Sequence, residues 1–458
     1  MFERTALPGG PRVVTVRLPA ARSFSAVAYV RAGSRMESRA ESGMAHFMEH
    51  LTFKGTASWP STRAVSEAIE GSGGTSNAAT DRESTSYWAR VPSRDAVLAM
   101  RMLGELVTRP LLREDDVAHE RTVVIEEIRS YRDDSGEFVF NLLDQAVFGD
   151  TPLGWEIAGD EESVAGLTAS SLRGFWEHWY RPSNVVVAAA GDLEHEAICA
   201  MVEEGFGSDG VSAPTAPSAT MSAPETVGIP DAAAAPGSPE ERRPSWTPGD
   251  GRFQPAPPLP SAERFRIVNR PGSQAHLALA VPALRRDDPD QWTLELLDTV
   301  LGEGMSSRLF LHLREEAGLA YDVHSFISDF ADCGMLGIYA GVDPHMLTRA
   351  LEAILGELAE LRDHRIPDDE LGRAKAYACG RLELRLEEGR NLASWLGAQE
   401  ALHERTLTPE EAIEAIQAVD GEAIRSLAGR LFRDEALSLA VIAPGRRGAG
   451  LERRMRLP

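Results

Sequence analysis

Two kinds of hydrophobic spacing take turns along this 458-residue chain. Short runs that alternate or are apolar throughout predict strands, whereas longer runs with apolar positions three and four apart predict helices. After an opening turn, "RVVTVRLP" and "SAVAYVRAG" read as strands, followed by a helix over 42–54 and another beginning near Ser61. The strands "GGTSNAAT" and "STSYWARVP" come next, then helices over 93–108 and 114–132, and the apolar run "NVVVAAAGD" closes this half. The order then repeats. Strands "RFRIVN" and "AHLALAVPA" precede helices near 289–301 and 306–317; strands "YDVHSFISD" and "GMLGIYAGV" precede helices near 345–362 and 368–388; "LSLAVIAP" closes. Fragments correspond at a lag of roughly 250 residues: "SYWARVP" sits against "GIYAGVDP", and "REDDVAHER" against "PDDELGRAK". The pattern predicts an α+β protein made twice, each half an antiparallel sheet with helices on one face.

Between the halves the pattern stops. Residues 208–262 hold 12 of the 28 prolines, among many Ala, Ser and Gly. Such a segment cannot bury enough apolar surface to offset its ordering entropy and reads as an exposed linker. The predicted division is therefore 1–207, a linker 208–262, and 263–458.

Composition narrows the function. A formal charge of −23 argues against a nucleic-acid partner, which needs a basic footprint. No run approaches the ~18 apolar residues of a membrane span, and the first 30 residues lack the basic-then-apolar layout of a signal peptide, so the expectation is a cytoplasmic protein with no membrane partner. The three cysteines, Cys199, Cys333 and Cys379, are too scattered for a disulfide framework or a metal knuckle and read as free thiols.

The chemistry gathers in "GMAHFMEHLTFKGT", residues 43–56. With Ser42 as N-cap and a stop near Gly55, this is a helix. His46 and His50, one turn apart, then share a face and can point at one ion, with Glu49 beside them and Phe47, Met48 and Leu51 turned inward. The order is an inverted form of the HExxH zinc helix. Catalytic zinc takes three protein ligands and keeps a position for water, so a third donor is needed. The helical "DVAHERTVVIEEIRSY" offers Glu120, Glu126 and Glu127. Glu120 and Glu127 lie two turns apart on one face, so one could ligate and the other support from behind; periodicity does not choose between Glu126 and Glu127.

"GMAHFMEHLTFKGT", then "GGTSNAATDRESTSYWARV" and "ERTVVIEEI", closely resemble the pitrilysin/insulinase family of zinc peptidases, in its mitochondrial-processing-peptidase-like branch. The resemblance spans about 5–205 and 264–445. It implies one Zn2+ per chain bound by His46, His50 and Glu127, with Glu49 as general base and Glu120 as supporting acid. It implies peptide contacts at Asn77 and Ala78 on an edge strand, and a substrate-binding pair, Arg314 and Tyr321, in "LREEAGLAYDV", with Tyr321 also steadying the oxyanion. The matching helix region of the second half, "LELLDTVLGEG", contains neither histidine nor a paired acid, so that copy is expected to be metal-free. The implied activity is a zinc metalloendopeptidase acting on peptides or unfolded polypeptide segments in a chamber between two chains, a homodimer or a heterodimer with a paralogous subunit. The alternative is a non-catalytic assembly or binding subunit of such a complex.

Overall fold

The computed structural model describes residues 2–207 and 261–458; the predicted linker lies outside them except for its last two residues. The first half holds strands β1 (Glu3–Ala6), β2 (Arg12–Arg17), β3 (Ser23–Val30), β4 (Thr75–Thr80), β5 (Thr85–Pro92) and β6 (Val185–Gly191). They form one sheet in the order β1-β2-β6-β3-β5-β4. Its helices are α1 (Met44–Thr52), α2 (Thr62–Glu70), α3 (Ala96–Thr108), α4 (Glu114–Asp133), α5 (Ser135–Phe148), α6 (Glu161–Gly166), α7 (Ala169–Trp179) and α8 (His195–Phe206). The second half has β7 (Phe265–Asn269), β8 (Ala275–Ala283), β9 (Ala320–Asp329), β10 (Gly334–Val342) and β11 (Ser438–Ala443), in the order β7-β11-β8-β10-β9. Its helices are α9 (Gln291–Leu301), a π-helical turn Phe310–Glu316, α10 (Leu347–Asp363), α11 (Asp368–Leu386), α12 (Gly389–Leu402), α13 (Pro409–Ala418) and α14 (Gly421–Leu431).

The two halves thus repeat one α+β plan. Each sheet is mixed rather than wholly antiparallel: β2 pairs with β6, and β7 with β11, in parallel. In both cases the closing strand returns from a distant helix and slots between two earlier strands. Local periodicity carries no signal for that direction.

The sheets are also covered on both faces. Alternate residues of the first sheet, among them Phe24, Ala26, Tyr87 and Val187, pack on the half's own helices through Phe47, Met48, Leu51 and Leu103. The opposite residues, Val14, Val27, Ala188 and Ala190, take Leu392, Ala393 and Leu396 of α12, which belongs to the second half. The exchange is mutual: Ala278, Ala280, Ala440 and Ile442 of the second sheet receive Val139, Leu142 and Leu143 of α5. Small strand residues let the borrowed helix approach closely. At Gly397 of α12 an added Cβ would lie 2.8 Å from the Ala188 Cβ and from the Tyr29 ring. Each fully buried Leu or Val of these layers contributes about 1.5–3 kcal/mol of transfer free energy, so the exchange fastens the halves to each other.

A buried ion cluster adds to that junction. Glu83, in the β4–β5 turn, meets Arg35 of its own half and Arg286 of the other, both at 2.7 Å. Arg35 also pairs with Asp332 at 2.6 Å, and Arg286 with Asp329 at 2.9 Å. Among the described residues no helix is long and apolar enough to cross a membrane.

Candidate zinc site

Helix α1 begins at Met44, later than the sequence suggests, and Ser42 does not cap it: the buried Ser42 hydroxyl has no hydrogen-bond partner. Gly43 occupies the cap position with φ +93, where a Cβ would fall 2.4 Å from the Ala158 carbonyl oxygen. The first amides are satisfied from outside the helix. The Glu37 carboxylate accepts from Gly43 N at 2.8 Å and Ala45 N at 2.6 Å. Burial pushes Glu37 up to about 8, against the pull of those two amide bonds. Phe47, Met48 and Leu51 are fully buried, as their spacing predicts, and fix the rotation of the helix.

That rotation turns His46 and His50 toward α4. One donor atom each from His46, His50 and Glu127 lie within 4.8 Å of one another. His46 Nε2 is 3.8 Å from Glu127 Oε1, and His50 Nε2 is 3.4 Å from Glu127 Oε2. Two imidazole nitrogens and a carboxylate facing one point are the donor set that zinc takes. Glu126 points elsewhere and pairs with Arg129 at 2.7 Å on the surface. The choice that periodicity left open is made by which face of α4 meets α1.

The supporting groups are equally specific. Glu120 Oε1 lies 2.8 Å from His50 Nδ1, while its other oxygen pairs with Lys54. With Nδ1–H donating to Glu120, the Nε2 lone pair is left for a metal. Burial, with His50 as neighbour, pushes His46 down to about 4, so its ring is neutral at pH 7. Burial alone would lower His50 as well; the hydrogen bond to Glu120 and the charges of Glu127, Glu120 and Glu49 outweigh it and raise it. Burial raises Glu49, opposed by a hydrogen bond from Thr80 Oγ1 to Glu49 Oε2 at 2.6 Å. Sequence reasoning missed Glu37, Lys54 and Thr80, and no periodic signal marks them.

A cavity of about 730 Å³ opens onto His46 and Glu127. Its walls come from both halves, with Thr80 and Tyr131 facing Ile327, Phe330 and Leu402. Asn77 and Ala78 lie on β4, the edge strand of the first sheet, with Asn77 exposed and Ala78 buried. Arg314 and Tyr321 come together, the guanidinium 5.8 Å from the Tyr321 ring centroid and 4.9 Å from that of Phe310. Tyr321 is 75% exposed, and neither residue lines the cavity at the cluster.

One sequence statement needs correction. The helix of the second half that matches α1 does carry a pair of acids: Glu295 and Asp298 of α9, three residues apart. Burial pushes each up to about 7, helped at Glu295 by the charges of Glu303 and Asp329 and at Asp298 by those of Glu295 and Glu303. Neither belongs to a group of three metal-ligating side chains among the described residues.

A duplicated α+β fold carrying two histidines and a glutamate around one point, with no second such group among the described residues, is a metallopeptidase-type scaffold. The sequence profile of the insulinase peptidase family, M16, matches residues 12–161, and that of the M16 inactive domain matches 166–377. The chain is 36% identical over 441 residues to an uncharacterized zinc protease of Streptomyces coelicolor, covering 96% of this chain and 89% of that protein. It superposes on a protease from Helicobacter pylori with TM-score 0.82 at 22% identity, covering 97% and 99% of the two chains. A chain of complex III from Candida albicans follows with TM-score 0.76 at 19% identity, covering 99% and 98%. The chain belongs to the insulinase (M16) family of zinc peptidases, and it is a member that retains the two-histidine, one-glutamate set.

Proposed function

We propose that this protein is a zinc endopeptidase that hydrolyses peptides or unfolded polypeptide segments. The observation that carries the reading is the convergence of His46, His50 and Glu127, with Glu49 on the same helix as the two histidines and a cavity opening onto His46 and Glu127. Zinc held by the three ligands would supply Lewis-acid polarisation of the scissile carbonyl and acidify the attacking water. Glu49 accepts that water's proton and delivers it to the departing amine. A carboxylate whose affinity for protons is raised by burial suits both tasks. Glu120 holds the His50 ring in one tautomer, and Lys54 keeps Glu120 ionised and oriented.

Substrate adds to the open edge of β4 as a further strand, passing Asn77 and Ala78, so that main-chain bonds give affinity with little demand on sequence. Residues 1–207 then form the catalytic unit, and 263–458 a metal-free copy that contributes Arg314 and Tyr321. Because that pair lies outside the cavity wall of the single chain, the reading includes a chamber closed by a second chain, identical or paralogous, across which the pair grips peptide and Tyr321 steadies the oxyanion. Elemental analysis of the purified protein tests the proposal: one zinc per chain, and hydrolysis of a casein or quenched peptide substrate that a chelator stops and added zinc restores. A metal-free protein with unchanged activity refutes it.

A further inference from the structure

We propose that Thr80 is a positioning residue for the general base, tying the last residue of the substrate-docking strand to Glu49; this rests on the reading of Glu49 as base given above. The Thr80 hydroxyl donates to Glu49 Oε2 at 2.6 Å, and it is half-buried at the lip of the cavity, so solvent competes poorly for that bond. Thr80 ends β4, whose other side is unpaired among the described residues. Ala78 and Thr80 point to the same face of the strand; Ala78 is buried in the core that also holds Phe47 and Met48 of α1. Strand β4 therefore reaches the helix of the base by packing at Ala78 and by a hydrogen bond at Thr80.

Thr80 cannot drift with the strand's end, because the turn after it is held from three directions. Asp81 N donates to the Ser84 carbonyl at 2.8 Å, and Arg35 N to the Arg82 carbonyl at 2.8 Å. The Arg82 guanidinium reaches Asp144 at 2.5 Å, and Glu83 sits between Arg35 and Arg286. The donor is thus fixed while the acceptor belongs to a side chain with three rotatable bonds. The charge-assisted hydroxyl bond, together with a bond from the Thr80 backbone N–H, selects the Glu49 rotamer. Peptide joining β4 would tighten the same strand, so docking and alignment of the base share one element.

The test compares Thr80→Val, which keeps the shape and removes the donor, with Thr80→Ser, which keeps the donor. Each is measured alone, and Thr80→Val also in a Glu49→Gln background, on a quenched-fluorophore peptide with zinc content and thermal melts checked. The expected result for Thr80→Val is a kcat about 10-fold lower, as for loss of a hydrogen bond to a charged group, with KM and zinc content little changed. Thr80→Ser recovers most of the rate, and Thr80→Val adds no further loss to Glu49→Gln. An unchanged kcat in Thr80→Val while Glu49→Gln is inactive overturns this inference alone. A rise in KM with kcat intact, or an equal loss in the Glu49→Gln background, also overturns it by assigning the hydroxyl to the strand instead. Full activity of Glu49→Gln overturns the reading of the base itself.

Discussion

Replacing Glu83 by alanine probes how the metal-free half is tied to the catalytic one. The Glu83 carboxylate is 2% exposed and receives Arg35 and Arg286, themselves 4% and 7% exposed, with a further bond from Ala331 N at 3.2 Å. Its removal leaves two buried guanidiniums facing each other. Taking one partner from a buried ion pair typically costs 3–5 kcal/mol. Both arginines keep one other acid, Asp332 and Asp329, but those are 25% and 45% exposed and more solvated. The single-pair value, about 3–5 kcal/mol, is therefore taken rather than twice that. For units of this size it corresponds to a fall in Tm on the order of 6–20 °C.

Calorimetry on chelated protein, which keeps metal binding out of the comparison, measures the shift. Because Glu83 bridges the halves, the single transition should also broaden or split. A cycle with Arg286→Met should return a coupling well above that of surface pairs. Replacing Glu83, Arg35 and Arg286 together by Leu, Met and Met should recover much of the loss, since apolar substitutes leave no buried charge. A Glu83→Ala variant that loses less than about 1 kcal/mol, the range of an exposed pair, refutes the cluster as a fastening of the two halves.

Other outcomes follow from the same geometry. Glu120→Ala frees the His50 tautomer and should weaken zinc affinity by about 10–100-fold in a chelator competition; unchanged affinity contradicts its supporting role. Glu37, raised to about 8 in the fold from its ordinary 4.5, binds a proton more readily folded than unfolded. Its contribution is therefore fully present below 4.5 and is lost as pH rises toward 8, by up to about 1.4 kcal/mol per pH unit. Glu37→Gln should flatten the stability–pH curve in that window, and parallel curves for the two proteins refute the assignment.

Much of this was written in local spacing. The strand and helix order of both halves follows from periods of two and near four, and the i, i+4 relation puts the two histidines of the HxxEH helix on one face with Glu49 beside them. What stays hidden depends on contacts between distant segments. Glu126 and Glu127 are neighbours of equal propensity, and only the packing of α4 on α1 sends one to Arg129 and the other to the histidines. Ser42 is a good cap by type, yet the left-handed Gly43 redirects the chain and Glu37 takes over the amides. The exchange of α5 and α12 leaves no mark, because a helix apolar enough to cover a neighbour's sheet reads the same as one covering its own. The acids of α9 stand in the sequence three residues apart, and only the fold shows that burial raises the proton affinity of both.

The central claim is that a zinc-binding cluster and Glu49 together make a hydrolase. Glu49→Gln tests it most directly, since the substitution keeps size and the three ligands while removing the proton acceptor. The account predicts one bound zinc per chain, an unchanged fold, and peptide hydrolysis at least ~100-fold slower. Hydrolysis at the unsubstituted rate with zinc still bound would contradict it.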